Sequence, residues 1–187
     1  MTRSALALPF FAAFCLLFSS CAAGSAASRA ASDIPGLFAS ATGFTAQVAA
    51  TVSRGQTEND FTLAWTLSPA GSTVEVLAPA SVAGIRAEIT PDARTLSYDG
   101  AALSLPDAVS PIGLLPVLAD VWRGACTEYA SEPDGVTLVY FETLDGHGYE
   151  LRTRFDASTL RPLSAAVFAD GVRVAVYTFE TFAFSSD

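Results

Sequence analysis

Hydrophobic and polar residues alternate over most of the chain beyond residue 40. Phe44, Ala46, Val48, Ala50 and Val52 share one phase, and Phe61, Leu63, Trp65 and Leu67 share another. Successive side chains of a strand point to opposite faces, so a period of two predicts strands with one face buried. The polar stretch 54–60, with Gly55 and Asn59, joins the first two strands, and Ser68-Pro69-Ala70-Gly71 leads to a third at 72–77. Further strands are predicted at 84–90, 95–98, 101–105, 135–144, 147–155, 163–168 and 172–184, about ten in all. Asp99-Gly100, Asp145-Gly146 and Asp170-Gly171 read as tight turns between antiparallel neighbours. In the last strand Val172, Val174 and Val176 keep phase, but Phe179, Phe182 and Phe184 shift it, which calls for a bulge or for burial on both faces.

One segment has helical spacing instead. Ile112, Leu115, Leu118 and Trp122 fall on one stripe, with Ser110 placed as N-cap, Pro111 at the first helical position and Gly124 beyond the end. Pro116 lies inside this helix and is positioned to split it. The predicted class is α+β: one strongly curved antiparallel sheet, an unclosed half-barrel, with a helical lid.

The first residues follow another logic. Arg3 precedes an apolar run from Ala5 to Phe18, and Ser19, Ser20 and Cys21 come next. This is the charged, apolar, small-residue order of a secretory leader, and it falls short of the ~20 apolar residues that span a bilayer. Leu17-Phe18-Ser19-Ser20-Cys21 resembles a bacterial lipobox, which implies cleavage after residue 20 and a diacylglyceryl and acyl (palmitate-type) anchor on Cys21. Cleavage farther along the Ala-rich stretch is the alternative, with Cys21 lost or left free. The chain is thus divided into a leader at 1–20, the lipidated Cys21 with a flexible tether to 33, and a folded domain at 34–187. A short helical turn is expected at 34–40.

Composition removes several function classes. The 187 residues include 10 cations, all Arg, against 19 carboxylates, for a formal charge of -9. A basic footprint for nucleic acid is missing. Loss of the leader removes only Arg3 among the charged residues, so the exported part is more acidic still and is repelled by anionic headgroups. The membrane partner is therefore reached through lipid. One His and three Cys without CxxC spacing give no metal site, and no cofactor motif occurs. With Cys15 in the leader and Cys21 acylated, Cys126 has no disulfide partner and reads as a small apolar residue.

No catalytic residue is nominated. His147 sits in the glycine-rich turn Asp145-Gly146-His147-Gly148, no Gly-x-Ser-x-Gly elbow accompanies it, and a solvated histidine is the simpler reading. The carboxylates are scattered through turns and strand exteriors. An enzyme is not expected.

Several stretches together resemble the LolA/LolB-like lipoprotein carriers of bacterial cell envelopes. They are the lipobox Cys21, the strand pair 44–67, Leu77-Ala78-Pro79-Ala80-Ser81-Val82-Ala83-Gly84-Ile85, Leu96-Ser97-Tyr98-Asp99-Gly100, and Phe155-Asp156-Ala157-Ser158-Thr159-Leu160-Arg161-Pro162-Leu163. The resemblance implies an open barrel around an apolar cavity with a helical lid, on the extracytoplasmic face of a bacterial membrane. Phe61, Leu63, Trp65 and Leu67 on the sheet, and Ile112, Leu115, Leu118 and Trp122 on the lid, are the candidate cavity residues. A lipid or acyl chain is the expected ligand. The other reading is a non-enzymatic structural or interaction module of the envelope, with a solid core and an unidentified protein partner.

Overall fold

The computed structural model describes residues 26–104, 111–144 and 146–185. Helix α1 covers residues 26–40, and α2 is Pro111–Trp122. Eleven strands complete the fold: β1 (Phe44–Arg54), β2 (Thr57–Ser68), β3 (Gly71–Ala78), β4 (Arg86–Ile89), β5 (Arg94–Tyr98), β6 (Ala101–Ser104), β7 (Glu128–Glu132), β8 (Gly135–Leu144), β9 (His147–Phe155), β10 (Pro162–Ala169) and β11 (Val172–Phe184). They form one sheet in the order β6-β5-β4-β3-β2-β1-β11-β10-β9-β8-β7, with antiparallel neighbours throughout. The first and last strands, β1 and β11, meet in the centre, while β6 and β7 are the two free edges. The sheet curves without closing into a barrel, as the sequence pattern predicts.

The alternating rows identify the inner face. Phe44, Ala46, Val48 and Ala50 of β1 are buried and stand opposite Phe184, Phe182, Phe179 and Tyr177 of β11. Between Gln47 and Val48 the register slips, leaving Glu180 as an extra residue. Gln47 binds the bulge twice: its backbone N–H donates to Thr181 Oγ1 at 3.0 Å and its side-chain amide to Glu180 Oε2 at 2.7 Å. This bulge returns Phe179 to the face of Phe182, whereas Val172, Val174 and Val176 are the more exposed positions, with Ala175 and Tyr177 turned inward, so the shifted phase in the sequence combines a change of face with the bulge. Asp99 and Gly100, like Asp170 and Gly171, adopt positive φ, as tight antiparallel hairpin turns require.

Three expectations need correction. The tether ends earlier than residue 33, because α1 already includes 26–33, and Ala27, Ala30, Ile34 and Phe38 make a buried stripe at helical spacing. Small side chains at residues 27 and 30 let the helix backbone approach the core closely. Residues 21–25, like Ser110 and Asp145, lie outside the described residues. Pro116 does not split α2, which runs unbroken for 12 residues. Finally, β7 is an unforeseen strand: Glu128-Tyr129-Ala130-Ser131-Glu132 is exposed throughout and shows no apolar alternation. Its short length and two glutamates are features that protect a sheet edge from unwanted pairing.

Candidate functional site: the concave face and the cleft beside it

Inner-face rings meet under the two helices. The Phe38 ring of α1 lies 5.0 Å from Trp122 of α2 and 6.3 Å from both Phe44 and Phe155. Trp65 and Trp122, one from the sheet and one from the lid, are 6.0 Å apart and wholly buried. Each indole N–H is satisfied locally. Trp65 donates to Ser72 Oγ at 2.8 Å, and Trp122 donates to Thr153 Oγ1 at 2.9 Å. Ser72 and Thr153 are buried polar residues among an otherwise apolar lining, and these two bonds remove the penalty of burying both partners.

All eight candidate residues join this one cluster. Leu63, Trp65, Leu115, Leu118 and Trp122 are buried; Phe61, Leu67 and Ile112 are half-buried around them. The centre of the group is packed ring against ring, and the half-buried members form its rim. Tyr140, on the same face, is 2% exposed, and its hydroxyl has no hydrogen-bond partner among the described residues. Burial raises the phenol of Tyr140, and likewise that of Tyr177, well above the ordinary tyrosine range, so both stay protonated at neutral pH.

A cleft of about 830 Å³ opens beside α2, where that helix faces β3 and β4. Its floor includes Leu67, Ile89 and Pro116, and its rim carries Asp92, Arg94, Asp120 and Arg123. Gly71 shapes it: a side chain there would collide with the Ile89 carbonyl, so glycine lets the β2–β3 turn lie against the end of β4. Leu67 is the one member of the eight candidates that lines this cleft. The charged rim was not legible in the sequence, because β5, α2 and the loops that supply it are separated along the chain.

His147 is exposed at the start of β9. Among the described residues, no group of three or more His, Cys, Asp or Glu side chains converges as a metal site would require, and no helix is long and apolar enough to cross a membrane.

No family model matches the sequence, and no curated protein does. Solved structures match the fold. An uncharacterized conserved protein from Thermus thermophilus superposes with a TM-score of 0.51 at 14% identity, over 86% of this chain and 88% of that one. A LolA superfamily protein from Nitrosomonas europaea is similar at TM-score 0.48 and 12% identity, covering 86% of this chain and 94% of that one. The lipoprotein LppX from Mycobacterium tuberculosis is similar at TM-score 0.44 and 9% identity, covering 85% and 94%. The chain shares its fold, an open antiparallel sheet with helices on its concave side, with the Thermus thermophilus protein. Within this fold, α1 and α2 share the concave side of the open sheet, and the cleft lies where α2 meets the β3–β5 arm.

Proposed function

We propose that the chain is an extracytoplasmic bacterial lipoprotein that is anchored through Cys21 and binds an acyl chain of a lipid between α2 and the concave sheet, without catalysing a reaction. The character of α2 carries this reading. Asp120 is its sole ionisable residue, it has no acidic first turn and no basic last turn, and its side chains are apolar around most of the circumference. A helix of that kind belongs in a core, yet Ile112 and Val117 remain half-buried at the rim of the aromatic cluster. An acyl chain laid along this rim would cover them. Each methylene so buried contributes ~0.8 kcal/mol.

The Tyr140 hydroxyl supports the same reading. An unpaired buried hydroxyl costs about 1–3 kcal/mol, and an ester or carboxyl oxygen of a bound lipid would accept a hydrogen bond from it. The anchor fits the geometry too. From Cys21 to the first described helical residue, Ala26, there are five residue-to-residue steps, which reach at most about 18 Å even when fully extended. The domain would stay at the bilayer surface, where a lipid can be exchanged.

The interaction-module reading draws on a different observation, the exposed edge strand β7 together with the tightly packed Trp65–Trp122 centre. Binding of a fluorescent fatty acid separates the two. The lipid reading predicts saturable binding with a change in tryptophan emission, and the module reading predicts none.

A further inference from the structure

Tyr140 stands on the concave face of β8, opposite Leu151 of β9, and shares that face of its own strand with Leu138 and Glu142. Its side chain is 2% exposed and its hydroxyl has no hydrogen-bond partner among the described residues. Beside it lies a second polar group, the half-buried free thiol of Cys126, which packs against the edge of the apolar cluster. Thr127 donates its backbone N–H and its hydroxyl to the Val139 carbonyl at 2.8 and 3.0 Å, which holds residue 126 against β8 next to Tyr140. The thiol and the phenol are close enough to interact electrostatically. Because Cys126 is only partly covered, the pair stands where solvent reaches the cluster.

This spot is uncharged. Burial raises the Cys126 thiol as it raises the Tyr140 phenol, so both are neutral at neutral pH. Arg152 and Arg154 of β9 alternate with the buried Leu151 and Thr153, which places them on the convex side, where Arg152 pairs with Glu150 and Arg154 with Glu132 and Asp134. Arg123 is committed to Asp120 and to the Phe38 carbonyl. Asp120 in turn interacts with Arg123, Glu142 and Arg94. The charged group that shares the concave face of β8 with Tyr140 is Glu142, a carboxylate. An anionic ligand group set against Tyr140 would therefore be buried without a cation and with Glu142 along the same strand. Burying an unpaired charge costs far more than burying a neutral carbonyl, and the carbonyl satisfies the hydroxyl.

We propose that Tyr140 and Cys126 receive the polar end of the ligand, and that this end is an uncharged ester carbonyl, as in an acylglycerol. The Tyr140 hydroxyl donates to the carbonyl oxygen, and the thiol packs against the ester. This rests on the acyl-binding reading above and adds to it the ligand's class and the place of its polar end.

The test uses the chain from Ala22 onward, which keeps every described residue and has Cys126 as its sole cysteine. Three probes of one chain length are titrated by calorimetry at neutral pH, below their micelle-forming concentrations. They are 1-decanoylglycerol, its ether analogue 1-O-decylglycerol, which lacks the carbonyl, and decanoate, which carries the charge. The ester should bind about fivefold or more tighter than the ether, the worth of one neutral hydrogen bond, and roughly tenfold or more tighter than decanoate. Tyr140→Phe should close the gap between ester and ether. In the parent protein, saturating ester should slow alkylation of Cys126 several-fold. Decanoate binding as tightly as the ester overturns the uncharged class and leaves acyl binding standing. Equal binding of ester and ether, a gap that survives Tyr140→Phe, or alkylation unchanged by bound ester overturns the placement of the polar end. Silence with all three probes overturns the acyl-binding reading and this proposal with it.

Discussion

Trp122 of α2 donates its indole N–H to the hydroxyl of Thr153 on β9 at 2.9 Å, and both side chains are 0% exposed. This bond ties the lid helix to the sheet arm opposite the cleft. Thr153→Val keeps the shape and removes the acceptor, leaving a buried donor unpaired. The expected loss of stability is about 1–3 kcal/mol, read as a lower urea midpoint with an unchanged slope. Thr153→Ser, which keeps the hydroxyl, should lose only the methyl contribution of about 0.5–1.5 kcal/mol. Equal losses in the two variants would remove the hydrogen bond from this account.

Tyr140→Phe separates a ligand contact from a structural one. Its hydroxyl is buried without a partner among the described residues, so deleting it should leave the unfolding free energy unchanged or raise it by up to about 1 kcal/mol. If the hydroxyl donates to a bound lipid, fatty-acid affinity should fall about five- to tenfold, the worth of one neutral hydrogen bond. Unchanged affinity would remove Tyr140 from the lipid site.

Ile112 and Val117 test the rim. Both are half-buried against the core, so Ile112→Ser and Val117→Ser should lower fatty-acid affinity more than tenfold while costing less than about 1.5 kcal/mol of stability, since only part of each side chain is removed from water in the free protein. A large stability loss with unchanged affinity would make α2 a fixed cover.

Asp156 gives a pH signature. It accepts hydrogen bonds from the backbone N–H and hydroxyl of both Ser158 and Thr159 in the β9–β10 turn. Those bonds, led by the Ser158 hydroxyl, hold its carboxyl far below the usual aspartate range. A depressed folded-state pKa adds stability that is present above the ordinary unfolded value near 3.9 and is lost as pH falls below it. Asp156→Asn should therefore be less stable than the parent at pH 6, with the gap closing below about pH 3. A gap that persists unchanged in acid would assign the effect to something other than the carboxylate.

How far the sequence reached follows from which residues carry each element. Strands such as β1 and β2 were legible because one face is buried and the other wet, which writes a period of two into the residues. Strand β7 was illegible because its exposed Glu128-Tyr129-Ala130-Ser131-Glu132 buries no alternating face and is held by backbone pairing with β8 and by the polar contacts of Glu132 with Thr137 and Arg154. The start of α1 looks like a tether in the sequence because Ala27 and Ala30 bury so little surface that their helical stripe does not stand out among neighbouring Ala and Ser. Trp65, Leu115, Leu118 and Trp122 were legible as facing rows, since large apolar residues at strand and helix spacing must bury one another. Their ring-to-ring packing was not, because centroid distances depend on how strongly the sheet curves. The rim of Asp92, Arg94, Asp120 and Arg123 depends on the same curvature.

The central claim is that a lipid occupies this domain in its native membrane. Native mass spectrometry of the anchored protein, extracted in mild detergent from its own host and then gently denatured, tests it most directly. The account predicts a discrete non-covalent adduct of lipid mass that disappears on denaturation, together with a covalent acyl mass on Cys21 that remains. Protein that carries the Cys21 lipid but no releasable adduct, and that fails to bind a fluorescent fatty acid saturably, would contradict the lipid-binding account and favour the interaction module.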